Sequence, residues 1–207
     1  MAKYKPNHPS EKDFLRQVAQ HEMTVLRDSG LDHHLRFRRT ETSNQYFDLI
    51  TWPGVLCYHG DMGTFVFSRI PDMFEFFRND RNDGHLFINL GYWAEKLDAD
   101  DRRTGGHEKF NPELFKHRVM DYAKQCGAKR AAINQIKDRV LPAADDGEFR
   151  AYETAGTFEH EGFRLYDFWE INCREYTYHF VWCCYAIVWG IQKYDEFKIG
   201  LQKSAAA

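Results

Sequence analysis

The sequence predicts an α+β fold, an antiparallel meander sheet of four to five strands packed against three or more helices. Three observations carry this: period-two alternation from Leu35 to Ser68 broken by two glycine turns, an apolar stripe at helical spacing near the N-terminus, and the apolar run from Phe180 to Ile191. Pro9-Ser10-Glu11-Lys12-Asp13 resembles a helix start, with Ser10 as N-cap, and Phe14, Leu15, Val18, Val25 and Leu26 then share one face as far as Ser29, before Gly30. Four strands follow. Leu35 to Arg39, Tyr46 to Trp52, Val55 to His59 and Thr64 to Ser68 alternate in character, and Pro53-Gly54 and Gly60-Asp61-Met62-Gly63 supply the turns.

Asp72 or Pro71 begins a short Phe-rich helix through Phe77, and an Asn/Asp/Arg-rich break covers 78–84. Gly91 to Leu97 reads as one or two helical turns and Asp98 to Gly106 as loop. Pro112 stands at the first position of a helix ending near Gly127, and 128–141 is expected to be helical up to Pro142. The stretch 143–161 carries six acids and one base, so it reads as an acidic, loop-rich insertion, solvated or offered to a basic partner. Phe163 to Ile171 looks like a last strand and Glu175 to Phe197 like a long buried helix. Residues 1–203 are expected to form a single α+β domain, with 204–207 as a disordered tail.

Composition excludes several classes. With 207 residues, 16% aromatic and five cysteines, the chain is neither disordered nor collagenous nor a disulfide scaffold. A net charge of −3 excludes a highly basic packaging protein and a strongly acidic nucleic-acid mimic. Cys57, Cys126, Cys173, Cys183 and Cys184 show no C-x-x-C spacing, so reduced thiols without structural zinc are expected. The N-terminus has no apolar stretch of signal-peptide type and no run reaches the ~20 residues that span a bilayer, so a cytoplasmic protein with no membrane partner is expected.

Candidate chemistry is sparse. Asp32-His33-His34 has the spelling of a phosphoesterase metal triplet, but the companion aspartates and histidines of a two-metal site are not identifiable, and adjacent histidines on a strand point to opposite faces. No metal or cofactor is therefore expected. The glycine turn could gather Asp48, His59 and Asp61 into an acid/base site for nucleotides or nucleic acid, although a tight hairpin favours the same turn residues. Cys173, Glu175 and His179 are close in sequence, which is weak ground for a Cys/His pair. Arg36, Arg38 and Arg39 beside Tyr46 and Trp52 could neutralise phosphates and stack bases, diluted by Asp32, Glu41 and Asp48.

The 33 aromatic rings separate into two populations. Phe14, Phe37, Phe47, Phe74, Phe77, Phe115 and Phe180 have core spacing, whereas Tyr46, Trp52, Tyr58, Tyr92, Trp93, Tyr152 and Trp169 lie beside turns or polar stretches and mark a contact surface. Its centre is expected around Trp52, with Tyr46, Tyr58, Arg36, Arg38 and Arg39 as binding residues.

By Phe47-Asp48-Leu49-Ile50-Thr51-Trp52-Pro53-Gly54, Leu56-Cys57-Tyr58, Gly60-Asp61-Met62-Gly63-Thr64 and Phe65-Val66-Phe67, the chain resembles a family of small uncharacterised proteins encoded by tailed bacteriophages and prophages. Glu22 to Asp28, Asp72 to Phe77 and Trp182 to Gly190 extend the resemblance over most of 11–100 and the C-terminal helix, while 98–161 matches weakly. The resemblance lends no catalytic residues. It implies a non-catalytic accessory protein in a bacterial cell, binding and modulating a host or anti-phage defence protein; a nucleic-acid partner ranks lower.

Overall fold

A computed structural model of the chain describes Tyr4, residues 6–78 and residues 85–205. All but Arg78 of the polar break expected at 78–84 lies outside the described residues. In chain order the elements are α1 (Glu11–Val18), β1 (Glu22–Ser29), β2 (Asp32–Arg38), β3 (Phe47–Trp52), β4 (Val55–Gly60), β5 (Gly63–Ser68), α2 (Met73–Phe77), α3 (Leu90–Ala94), β6 (Leu97–Ala99), β7 (Glu108–Phe110), α4 (Pro112–Gln125), α5 (Arg130–Gln135), α6 (Glu148–Gly156), β8 (Glu159–His160), β9 (Phe163–Arg164), β10 (Arg174–Tyr176) and α7 (Tyr178–Ala205). They form two compact units. Asn7–His107 with Tyr176–Ala207 make a sheet unit, and Met1–Pro6 with Glu108–Glu175 a helical unit.

The fold is α+β. In the sheet unit β1 to β6 lie side by side in chain order as a six-stranded antiparallel meander. The four expected strands are there, and two unexpected ones flank them. Residues 22–29, read as the end of the first helix, are strand β1, because Met23 and Val25 find Phe37 and Leu35 across the ladder and tertiary pairing overrides a spacing compatible with either structure. The first helix stops at Val18, with Ser10 Oγ accepting from the Asp13 N–H at 3.1 Å as its N-cap. Leu97–Ala99, read partly as loop, closes the other edge as β6.

Alternation decides which face is covered. Leu35, Phe37, Phe47, Leu49, Leu56, Tyr58, Phe65 and Phe67 are fully buried and pack against Phe14 of α1, Phe74 of α2 and the apolar stretch of α7. Gly190 lets α7 approach closely, since a Cβ there would stand 2.7 Å from Leu49 Cδ1 and 3.1 Å from Phe37 Cζ. A bulge between Val25 and Arg27 shifts the register of β1 and pairs Asp28 with His33. Asp28 then accepts from Tyr194 Oη at 2.8 Å and Lys198 Nζ at 2.9 Å, pinning the last third of α7 to the sheet edge. Helix α7 continues through Ser204 to Ala205, past the point where a tail was expected, while Ala206 and Ala207 lie outside the described residues.

The helical unit has its own core around Phe115, Val119, Ile136, Val140, Ala151 and Phe168. The acidic stretch 143–161 is not loop-rich. A 3-10 turn (Pro142–Asp146) and α6 bury Ala143, Ala144, Ala151 and Ala155, Phe158 is buried just beyond α6, and the carboxylates take the outer positions. The strand expected from Phe163 to Ile171 shortens to β9, which pairs with β8 across Glu161-Gly162, both at positive φ. Asp167 then enters the left-handed region at φ 53° and starts a 3-10 turn over Phe168–Glu170.

Candidate functional site

The second face of the sheet carries the residues that alternate with the core set, half-buried or exposed at nearly every position. Cross-strand register arranges them in rows. Arg36, Asp48, His59 and Thr64 form a polar row, and His34, Ile50, Cys57 and Val66 a more apolar one beside it. Trp52, opposite Val55, stands 44% exposed at the hairpin end of the sheet.

Asp48 is the exception, at 4% exposure. Arg36 donates to it in a fork, Nε to Oδ1 at 2.9 Å and Nη2 to Oδ2 at 2.8 Å, and His34 Nε2 lies 3.0 Å from Oδ2. Burial alone would raise its pKa, but the hydrogen bonds and charges of Arg36 and His34 outweigh that and hold the carboxyl below the ordinary carboxylate range. Burial, with the nearby Asp48 carboxylate, pushes the Cys57 thiol up.

This geometry disfavours proton transfer. Asp48 has lost basicity and has both oxygens engaged, while Cys57, protonated at neutral pH, is a poor nucleophile. The other two acid/base candidates have partners of their own: His59 Nδ1 lies 2.9 Å from Thr64 Oγ1, and Asp61 Oδ2 accepts the Gln45 N–H at 2.8 Å, buttressing the turn that leads into Tyr46. Asp48 and His59 are cross-strand partners, but no side-chain hydrogen bond joins Asp48, His59 and Asp61 to one another among the described residues. His33 stacks on Phe74 in the core at 4.7 Å, so it and His34 do point to opposite faces. Among the described residues no group of three or more His, Cys, Asp or Glu side chains could hold a metal ion. Cys173 is buried in the helical unit with its thiol pushed up by burial, and its Sγ donates to Ile171 O at 3.5 Å.

The predicted binding residues divide. Arg36, Arg38 and Tyr46, joined by Ser43, line a hollow of about 300 Å³ at one end of the open face. The Tyr46 ring meets His59 edge to face at 6.5 Å, and Arg38 Nη2 donates to Thr40 O at 3.1 Å. Tyr58 corrects the expectation of a surface ring: between Leu49 and Phe65 on the ladder, it takes the core parity and is fully buried. Arg39 lies just beyond β2, and its Nη2 donates to Gln17 O at 2.9 Å, so it ties down the end of α1. Of the remaining rings singled out by sequence, Trp93 is buried, while Tyr92 and Trp169 are exposed. Ser43 was missed, since an isolated serine in a loop carries no sequence signal, and His34, singled out only as a candidate metal ligand, is instead a partner of Asp48; the Arg36–Asp48 fork was foreshadowed by opposite charges of like parity on consecutive strands.

Asp48→Asn should make stability less dependent on acid. A carboxylate with a lowered native pKa contributes stability that is fully present above its unfolded pKa of about 4 and is lost as pH falls through the native value. The gap between wild type and variant in urea midpoint should therefore be widest at neutral pH and narrow towards pH 3, whereas a gap independent of pH would show that the pairing does not stabilise the fold.

No family model, curated protein or solved structure matches the chain.

Proposed function

We propose that the protein is a non-catalytic binding protein whose working surface is the open face of the six-stranded sheet, and that its partner is another protein. The observation that carries this reading is the combination on one uncovered face of an exposed Trp52, the half-buried Ile50, Val55, Cys57 and Val66, and the Arg36–Arg38–Tyr46 hollow. Such a mixture of aromatic anchor, aliphatic strip and polar border is what protein interfaces use. Six strands about 4.8 Å apart and mostly about 20 Å long offer roughly 500–600 Å², the lower part of the range for one side of a specific interface.

Charge argues against nucleic acid. Asp48 neutralises Arg36 and Arg27 lies 4.0 Å from Asp32, while Arg38 and Arg39 have no carboxylate partner among the described residues, Arg39 being held to Gln17 O. Two such charges give a slight counterion-release term. The partner class, a host or anti-phage defence protein in a bacterial cell, rests on the resemblance to phage- and prophage-encoded accessory proteins. No helix among the described residues is long and apolar enough to cross a membrane, consistent with a partner met away from the lipid phase.

Affinity capture from a bacterial host lysate tests this reading. Wild-type protein should retain one partner in stoichiometric amount, and the double variant Trp52→Asp/Arg38→Glu, altered only at the open face, should lose it. Equal capture by the double variant, or no stoichiometric partner for wild type, would contradict the proposal.

A further inference from the structure

The three most exposed large hydrophobic side chains described all belong to the helical unit, and all fall within 149–169: Phe149 at 77%, Trp169 at 67% and Tyr166 at 63%. Burying none of these rings forfeits a large hydrophobic gain, so a use is to be sought for them. Trp169 borders a hollow of about 440 Å³, lined also by Glu148, Tyr152, Glu170, Asn172 and Arg174.

The hollow is rigidly built. Phe168, next to Trp169, is fully buried and meets Phe115 edge to face at 5.4 Å. Tyr152 Oη donates to Ile171 O at 2.6 Å and accepts the Cys173 N–H at 3.0 Å. Arg174 closes a fork on Glu148, with Nε to Oε1 at 2.8 Å and Nη2 to Oε2 at 2.6 Å, so these two charges cancel. Glu170 remains, beside the indole.

The surrounding charge selects the occupant. Residues 143–175 carry nine acids and three bases, and all three bases are paired within the segment, Arg150 with Glu153, Arg164 with Glu159 and Arg174 with Glu148, while Arg118 of α4, which donates to Asn172 O, is one further cation at the edge of the hollow. Asp146, Glu161, Asp167 and Glu170 make no ion pair among the described residues, and two of them flank the Phe168-Trp169 turn. An electron-rich indole face beside an unpaired carboxylate attracts a planar cation, which stacks on the ring and hydrogen-bonds to the acid. A phosphate chain or anionic lipid would be repelled.

We propose that the Trp169–Glu170 hollow is a second binding site, distinct from the open sheet face, for an arginine-rich segment of a protein. The site is tested on the full chain by titrating a fluorescently labelled oligo-arginine peptide and following anisotropy at low and high salt, with the isosteric, uncharged oligo-citrulline as control. Oligo-arginine should bind and oligo-citrulline should not. Trp169→Ala should weaken binding about two- to fivefold, and Glu170→Gln should weaken it and reduce its salt dependence. Trp52→Asp should leave it unchanged, which separates this site from the sheet face. Both helical-unit positions are exposed, so the variants should retain the native circular dichroism spectrum. Equal affinity for citrulline, wild-type affinity in Trp169→Ala, or a concentration-dependent dimer abolished by Trp169→Ala would overturn the proposal, the last by assigning the surface to a second copy of the chain.

Discussion

Trp182→Ala should lower the free energy of unfolding by about 3–5 kcal/mol, the range for removing a large buried aromatic and leaving a cavity. Trp182 is fully buried on α7, and its ring edge meets Phe14 at 5.1 Å, Phe47 at 5.8 Å and Tyr58 at 6.5 Å. Its Nε1 also donates to Gln17 Oε1 at 2.6 Å. One side chain thus joins α1, α7 and two central strands, and its loss both empties the junction and strands the Gln17 carbonyl. Urea unfolding followed by circular dichroism measures the effect. Trp169→Ala should change stability by only about 0.5 kcal/mol, since that ring is exposed. Comparable losses for the two variants would refute the assignment of core and surface tryptophans.

Gly60→Ala should cost about 3 kcal/mol, at the upper end of the overpacking range. A Cβ at this position would lie 2.2 Å from the Tyr46 carbonyl oxygen and 2.8 Å from Phe47 Cα. Both are backbone atoms of the start of β3, so no rotamer change relieves the clash and the β3–β4 ladder must part. The same carbonyl accepts the Asp61 N–H at 3.0 Å. Displacement would therefore carry Tyr46 away from the hollow it lines with Arg36 and Arg38, and partner binding should fall together with stability. Gly54→Ala is the informative contrast, with a φ of 86° but nothing within 4 Å of the added methyl. It should cost about 1–2 kcal/mol from backbone strain alone. A milder effect at Gly60 than at Gly54 would contradict the close approach.

Legibility in the sequence followed the range of the interactions involved. The four central strands were readable because Leu35, Phe37, Phe47, Leu49, Leu56, Phe65 and Phe67 alternate strictly, and the seven phenylalanines assigned to the core are all buried. Strand β1 was hidden because Val18 and Val25 stand seven apart, a spacing that suits a helix, while the period-two pair Met23 and Val25 is interrupted by the bulge at Leu26. Helix α6 was hidden because its buried face consists of the alanines 151 and 155, whose small apolar signal is masked by acids on the outer face. At the site, Arg36, Arg38, Tyr46 and Trp52 were found from residue type and parity. Tyr58 was misplaced by assigning it to a turn neighbourhood when its parity is that of Leu56. Arg39 was misplaced because β2 ends at Arg38, a boundary that residue type does not mark.

The claim that the open sheet face is the working surface is tested most directly at Cys57, which lies half-buried on that face between Ile50 and Val66, while Cys126 is exposed in the helical unit. In the complex with the captured partner, alkylation by N-ethylmaleimide read by mass spectrometry should be slowed at Cys57 by about tenfold or more and unchanged at Cys126. Alkylation of Cys57 at the rate of the free protein would place the partner elsewhere and contradict the account.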